Sequence, residues 1–125
     1  MTAENRIISI WCGQPGDTIE SGTMVDVHAT PVTEHIAVHP TIGGDPAAAV
    51  RWTVTHIPTG LRMCAAPTKA VATAAASAFS RLPVDWSAFT LDAARTMPEG
   101  LAKDIGSIKY MALFGKLNAL EEAHR

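Results

Sequence analysis

The sequence predicts an α+β domain in which an antiparallel sheet of three or four strands packs against one alanine-rich helix. Residues 51–65 hold two strand-like runs joined by a Pro-Thr-Gly turn, and residues 69–82 follow them as an amphipathic helix. The chain has 125 residues, 47% of them hydrophobic, which is enough for a single domain spanning residues 1–125. Helices within residues 87–123 are expected to complete its core.

Three short runs rich in apolar, β-branched or aromatic residues precede this hairpin. We predict them as strands over residues 6–11, 24–27 and 34–39. The first run is also consistent with a short apolar tail docked on the domain. Pro31 has no backbone N–H for a sheet ladder, so it marks a turn, a strand edge or a bulge. Residues 12–23 and 40–49 are predicted as loops because they are rich in glycine, proline and small residues.

The hairpin and the helix after it have clear local signals. Residues 51–57 alternate, residues 61–65 return as the second strand, and Gly60 tolerates a positive φ in the turn. Thr68 offers an N-cap hydroxyl to the helix, and Pro83 stops it. The apolar stripe of this helix consists of Val71, Ala75, Ala78, Phe79 and Leu82. Its alanines allow the helix to lie close to a sheet.

The C-terminal part is predicted to be helical. Ser87 is placed to cap a short helix through Met97. Thr96 and Glu99 have the spacing of a capping box, which begins a helix reaching about residue 122. Its seam consists of Ile105, Ile108, Ala112, Gly115 and Ala119, widened by Met111, Phe114, Leu117 and Leu120. This face must pack on the sheet, on the first helix or on a second copy, so a homodimer through the C-terminal helix is one expectation.

The net charge of −2 conceals a strong segregation along the chain. Residues 1–46 carry a net charge of −5, residues 47–83 carry +4 without any acidic residue, and residues 84–125 carry −1. If these blocks stay apart in the fold, they make a dipolar surface that favours a charged partner. The alternative is that the acidic and basic blocks neutralise each other across neighbouring strands.

Few residues are candidates for chemistry. The strand region contains four histidines, but His35 and His39 are about 13 Å apart on one strand, too far to share a metal ion. Cys64 precedes a helix N-terminus and His56 lies on the paired strand, so a Cys–His nucleophile is the one enzymatic hypothesis. No orienting third group is recognisable. We therefore predict no catalytic residue, no metal site and no cofactor.

The cysteine content and the hydropathy predict a cytoplasmic protein. Cys12 and Cys64 are expected to be reduced thiols, with one long-range disulfide as the alternative. No apolar run approaches the roughly 18 residues needed to cross a bilayer, and no secretory signal is recognisable.

The predicted partner-binding residues come from the basic block. They are Arg51, Arg62, Lys69, Arg81 and Trp52. A basic strand pair followed by a helix is one arrangement that reads nucleic acid. The sequence pI of about 6.2 is well below the value of ~9 that is typical of such domains. A protein partner, bound through mixed charge and a sheet edge, agrees better with this composition.

Part of the chain resembles a group of mobile-element proteins. The run VHPT at residues 38–41, the run WTVTHIPTGL at residues 52–61 and the alanine-rich helix after Thr68 resemble small uncharacterised proteins of bacterial phages, prophages and plasmids. These motifs are structural, so the resemblance implies no catalytic residue. It implies context, because short proteins of mobile elements often bind and block a host defence complex, as anti-CRISPR proteins do.

Three functional hypotheses follow. We expect a non-enzymatic interaction protein with a protein or ribonucleoprotein partner, in its specific form an inhibitor of a host nuclease or CRISPR-type defence complex. A nucleic-acid-binding domain that uses the basic hairpin is the second hypothesis. A small enzyme that uses Cys64 and His56 is the third.

Overall fold

A computed structural model of the chain describes residues 5–12, 23–42 and 51–123, so most of the two predicted loops lies outside the described residues. The fold is α+β, as predicted. The described strands are β1 (Arg6–Cys12), β2 (Thr23–Pro31), β3 (Ile36–Pro40), β4 (Trp52–His56) and β5 (Leu61–Ala66). The described helices are α1 (Lys69–Ser80), α2 (Leu91–Arg95), α3 (Glu99–Leu113) and α4 (Leu117–Ala123). Within these ranges, no helix is both long and apolar enough to cross a membrane.

The described strands form one antiparallel sheet in the order β1-β2-β3-β4-β5, which is one strand more than the upper number predicted. The difference arises in the N-terminal half, where β1 pairs with β2 over seven residues. Residues 6–11 therefore belong to a paired strand, and the alternative of a docked apolar tail is wrong. β2 extends past its predicted end at residue 27 to Pro31, which lies opposite Ala37 at the end of the ladder.

The sheet curls because β1 meets the turn between β4 and β5. The backbone N–H of Trp11 donates a hydrogen bond to the carbonyl of Gly60 at 2.8 Å. Gly60 has a φ of +71°, and a Cβ at this position would lie 2.7 Å from the carbonyl oxygen of Ser9. Only glycine combines this backbone conformation with such a close approach. The turn residue that closes the hairpin therefore also positions β1.

One face of the sheet packs against α1. Ile36, Val38 and Val54 are fully buried in a cluster that includes the alanines of α1. The predicted helical stripe is confirmed, with four members buried and the last partly buried: Val71, Ala75, Ala78, Phe79 and Leu82. Thr68 caps α1 by accepting a hydrogen bond from the N–H of Val71 at 3.2 Å. The helix ends at Ser80, two residues earlier than predicted.

The opposite face of β3 and β4 is buried as well. Ala37 joins a second apolar cluster with Ile8, Ile10, Val27 and Ala29 of the first two strands. Four successive residues of β3, from position 36 to position 39, are therefore buried without alternation. This explains why the polarity of the strand does not follow a simple period of two.

The buried face of β3 also includes a histidine. Nδ1 of His39 lies 2.8 Å from the carbonyl oxygen of Pro40, and Nε2 lies 2.8 Å from the hydroxyl of Thr55. Because a carbonyl oxygen only accepts, Nδ1 carries the proton and Nε2 accepts from Thr55. Desolvation by burial lowers the pKa of His39, so the ring is neutral at pH 7.

The short helix α2 begins later than predicted. Thr90, rather than Ser87, is its N-cap and accepts a hydrogen bond from the N–H of Ala93 at 3.2 Å. Ser87 instead donates its backbone N–H and its hydroxyl to the carboxylate of Asp85. The hydroxyl of Ser87 therefore stabilises a turn in the connector that follows α1.

The predicted capping box and the single long helix after it are both wrong. Thr96 donates its hydroxyl to the carbonyl of Asp92 at 2.9 Å, and Pro98 occupies the N-cap of α3 without a side-chain hydrogen bond. Gly115 has a φ of +68° and separates α3 from α4. A left-handed glycine just past a helix end is a common way to terminate it.

We expect Gly60→Ala to destabilise the domain and Gly106→Ala to leave it as stable or more stable. Alanine at position 60 is strained by the positive φ and collides with Ser9, which costs about 1–3 kcal/mol. A Cβ at Gly106, inside α3, would meet nothing within 4 Å, so the helix would gain up to about 1 kcal/mol. Urea unfolding followed by circular dichroism measures both values. Equal midpoints for the two variants would contradict the proposed role of Gly60.

Candidate functional site

The predicted partner-binding residues do not form one continuous surface. The ammonium of Lys69 lies 5.7 Å from the centroid of the Trp52 ring, and Arg51 precedes Trp52 at the same end of β4. Trp52 pairs with Ala66 of β5, and Arg62 lies four residues before Ala66, which corresponds to about 13 Å along the strand. Arg81 lies at the other end of α1, about 18 Å from Lys69. The fold thus groups the tryptophan with one lysine and separates two arginines from them.

Three of these cations lack a nearby counter-charge among the described residues. No described carboxylate lies within 4.0 Å of the charged nitrogens of Arg62, Lys69 or Arg81. The acidic side chain of Asp26 instead accepts a hydrogen bond from the hydroxyl of Ser9 at 2.8 Å. Among the described residues, the charges of these three cations are therefore not neutralised by acidic side chains of neighbouring strands.

A cavity of about 560 Å³, here named the aromatic cavity, lies between the β4–β5 hairpin and the segment that contains α2 and α3. Its apolar lining includes Trp11, Met63, Trp86, Phe89, Met97 and Ile105. Its polar lining consists of His56, Thr59, Arg62 and Lys109. This volume and this composition are typical of small-molecule sites, which measure roughly 300–1,000 Å³ and are mostly apolar.

His56 lines the aromatic cavity and is held in one orientation. Its Nε2 lies 2.6 Å from the carbonyl oxygen of Trp86, and its Nδ1 lies 2.8 Å from the hydroxyl of Thr59. A carbonyl oxygen only accepts, so Nε2 carries the proton and Nδ1 accepts from Thr59. The ring of Phe89 meets the imidazole edge-on, with 5.6 Å between centroids. Desolvation by burial lowers the pKa of His56, which keeps the ring neutral at pH 7.

Cys64 has the properties of a buried structural thiol. It belongs to the cluster between the sheet and α1, and burial raises the pKa of its thiol to about 12, although Lys109 and Arg62 act in the opposite direction. The thiol is therefore protonated at neutral pH, whereas nucleophilic attack requires a thiolate. Both nitrogens of His56 already have partners other than this thiol. Cys12 and Cys64 are both free in the structure.

The histidines are dispersed over the sheet. His28 is exposed on β2, whereas His39 and His56 are buried on opposite faces of β3 and β4. Within the described ranges, no group of three or more His, Cys, Asp or Glu side chains is arranged to hold a metal ion.

An exposed aromatic patch, formed by Tyr110, Leu113 and Phe114, lies at the C-terminal end of α3. These side chains are 55%, 49% and 60% exposed. The rings of Tyr110 and Phe114 lie 4.7 Å apart between centroids, and the ammonium of Lys116 lies 5.3 Å from the Tyr110 centroid. Sequence reasoning missed this patch because it placed Phe114 on the buried face of an uninterrupted helix. The helix ends before Phe114, and Gly115 redirects the chain.

The seam that suggested a homodimer is used within one chain. Ile108 and Ala112 are buried in the cluster with α1, and Leu120 of α4 is fully buried there as well. A homodimer would therefore need a different surface of the C-terminal helices, and it stays a prediction.

Comparisons with protein-family models, curated protein sequences and solved structures found no match to this chain. The choice between functions therefore depends on the contacts and charges of the chain itself.

We expect stability to decrease as the pH falls below about 6.5, the ordinary pKa of histidine in an unfolded chain. His39 and His56 have lowered pKa values in the folded state, so in this range the unfolded chain binds more protons than the folded one. Each residue adds at most about 1.4 kcal/mol per pH unit, down to its folded pKa. Urea unfolding at several pH values measures the slope.

Variants assign this slope to the two buried rings. His39→Asn retains a donor at the position of Nδ1 and His56→Gln one at the position of Nε2, so the double variant should lose most of the slope between pH 6.5 and 5. His28→Gln, at an exposed position, is the matched control and should keep the slope. A slope that is unchanged in the double variant would contradict this assignment.

Proposed function

We propose that this chain is a non-enzymatic interaction protein that binds a protein partner through the aromatic patch. The observation that supports this proposal most directly is the exposure of Tyr110, Leu113 and Phe114 at one helix end. Burial of apolar surface contributes about 25 cal/mol per Å², so a partner that covers three large side chains gains considerable binding free energy. Exposed apolar groups that include aromatic rings are typical of protein interfaces.

The charges around the aromatic patch indicate the chemistry of the partner. Lys109 precedes Tyr110 on the exposed surface of α3, and Lys116 lies over the Tyr110 ring. We infer that the partner presents an apolar depression bordered by carboxylates. Such charges at the rim of an interface mainly accelerate association and select the partner, while the apolar centre provides most of the affinity.

Nucleic-acid binding has less support. The basic residues are dispersed over both ends of β5 and α1, and Lys69 already contacts the Trp52 ring. A backbone-binding surface instead requires several cations along one face. The specific form of the main hypothesis, inhibition of a host defence complex, and the cytoplasmic location remain predictions.

We expect the tagged protein to retain a stoichiometric protein partner from a nuclease-treated bacterial lysate, as read by quantitative mass spectrometry. The variant Tyr110→Ser/Phe114→Ser should lose that partner. With the purified partner, the affinity should fall by about 30-fold or more, since interface hot spots contribute about 2 kcal/mol or more.

The matched control is Ile7→Ser/Ile42→Ser, which removes two other exposed apolar side chains, 61% and 48% accessible, one on β1 and one two residues after the end of β3. It should retain the partner at the wild-type level. The proposal would be overturned if the patch variant retained the partner. It would also be overturned if proteins captured from an untreated lysate were lost when the lysate is treated with nuclease. The second result would instead favour the nucleic-acid hypothesis.

A further inference from the structure

We propose that the aromatic cavity binds a small aromatic carboxylic acid, with its ring between Trp86, Phe89 and Met63 and its carboxylate between Arg62 and Lys109. This site opens on a different set of apolar side chains from the aromatic patch, although Lys109 borders both, and it adds a ligand-binding activity to the proposed protein interaction. Three features of the cavity support the inference: the aromatic lining, the two cations and the exposure of the wall that contains α2.

The lining favours a flat ring. The rings of Trp86 and Phe89 lie 4.9 Å apart between centroids with an interplanar angle of 54°, and both line the cavity. Tilted aromatic walls offer both faces and edges, which are the surfaces that an additional aromatic ring contacts favourably. The methionines at positions 63 and 97 provide flexible side chains that adapt to its outline.

The two cations favour a negatively charged group. Arg62 belongs to β5 and Lys109 to α3, yet both line the same cavity, and the charge of each lowers the pKa of the same buried thiol, Cys64, against the larger effect of burial. No described carboxylate lies within 4.0 Å of either charged group. A guanidinium binds a carboxylate through two parallel hydrogen bonds, and the ammonium adds a third charge-assisted contact.

The other polar groups of the cavity do not compete for the ligand charge. His56 is neutral and both of its nitrogens are hydrogen-bonded. The Thr59 hydroxyl donates to His56 and accepts from the N–H of Leu61 at 3.3 Å. The apolar body of the ligand therefore belongs beside these groups, and its charged end belongs at Arg62 and Lys109.

The wall formed by α2 can admit the ligand without disrupting the core. None of the residues of α2 is buried. Phe89 and Met97, which flank α2, face the aromatic cavity on one side and a second cavity of about 380 Å³ on the other. Outward movement of this segment therefore displaces few packed atoms.

The test is a titration of the ¹⁵N-labelled protein with 1-naphthylacetate. Binding is detected in ¹H–¹⁵N correlation spectra through the indole N–H signals of the three tryptophans. We expect saturable shifts for Trp11 and Trp86, which line the cavity, and none for Trp52, which lies at the other end of the hairpin. The neutral analogue 1-naphthylacetamide should bind at least about tenfold more weakly, as expected when charge-assisted hydrogen bonds are lost.

Two variants test the role of the cations. Arg62→Ala/Lys109→Ala should reduce the affinity for the acid to that for the amide while leaving the amide affinity unchanged. Arg81→Ala/Lys103→Ala removes two exposed cations outside the cavity and should bind the acid like the wild type. Thermal unfolding of both variants verifies that the exposed substitutions preserve the fold. Equal affinities for acid and amide, shifts centred on Trp52, or no saturable shift would each overturn the proposal.

Discussion

A hydrogen bond from Nε2 of His56 to the carbonyl of Trp86, 2.6 Å long, is the interaction on which the C-terminal half depends. It joins the last residue of β4 to the connector after α1, and the indole N–H of Trp86 donates in turn to the carbonyl of Phe79 at 3.1 Å. The sheet, the end of α1 and the connector are thus held together in an apolar surrounding. An unpaired polar group in this surrounding would cost about 1–3 kcal/mol of folding free energy. The two hydrogen bonds therefore fix the position of the connector relative to the sheet and α1. The position of Phe89 and the aromatic cavity follow from this anchoring.

The anchoring requires a helix that lies close to the sheet and a sheet that is covered on both faces. Ala72, Ala75 and Ala76 of α1 are fully buried, and small side chains of this kind bring a helix backbone near the strands. On the other face, the curl of the sheet encloses β3 and β4 together with His39 and Thr55. Polar groups in such positions are tolerated only when they are paired. Within the described residues, every buried side-chain nitrogen and oxygen has a hydrogen-bond partner.

The hairpin and α1 were predictable because their signals are local: a turn with Gly60, a cap at Thr68 and an apolar stripe. The full extent of the β1–β2 pair was not predictable, because it depends on pairing between distant residues and on the hydrogen bond between Trp11 and Gly60. The break between α3 and α4 was missed because the apolar periodicity continues past Gly115, so the sequence predicts only a weakened helix there. In the structure Gly115 adopts a positive φ, which ends the helix. The basic residues were visible in the sequence, but their separation depends on the topology. The aromatic cavity combines residues between positions 11 and 109, so no local pattern predicts it.

The aromatic patch lies on the C-terminal helices, whereas the aromatic cavity lies between these helices and the β4–β5 hairpin, from which it takes Arg62. The anchoring of the connector and the cavity beside it share the premise that His56 is neutral at pH 7 and links the sheet to the connector. Long-range ¹H–¹⁵N correlation spectra of the imidazole nitrogens at pH 7 test this premise most directly. The structure predicts the neutral tautomer of His56 with the proton on Nε2, because Nδ1 accepts from Thr59. An imidazolium ring, or a proton on Nδ1, would contradict it.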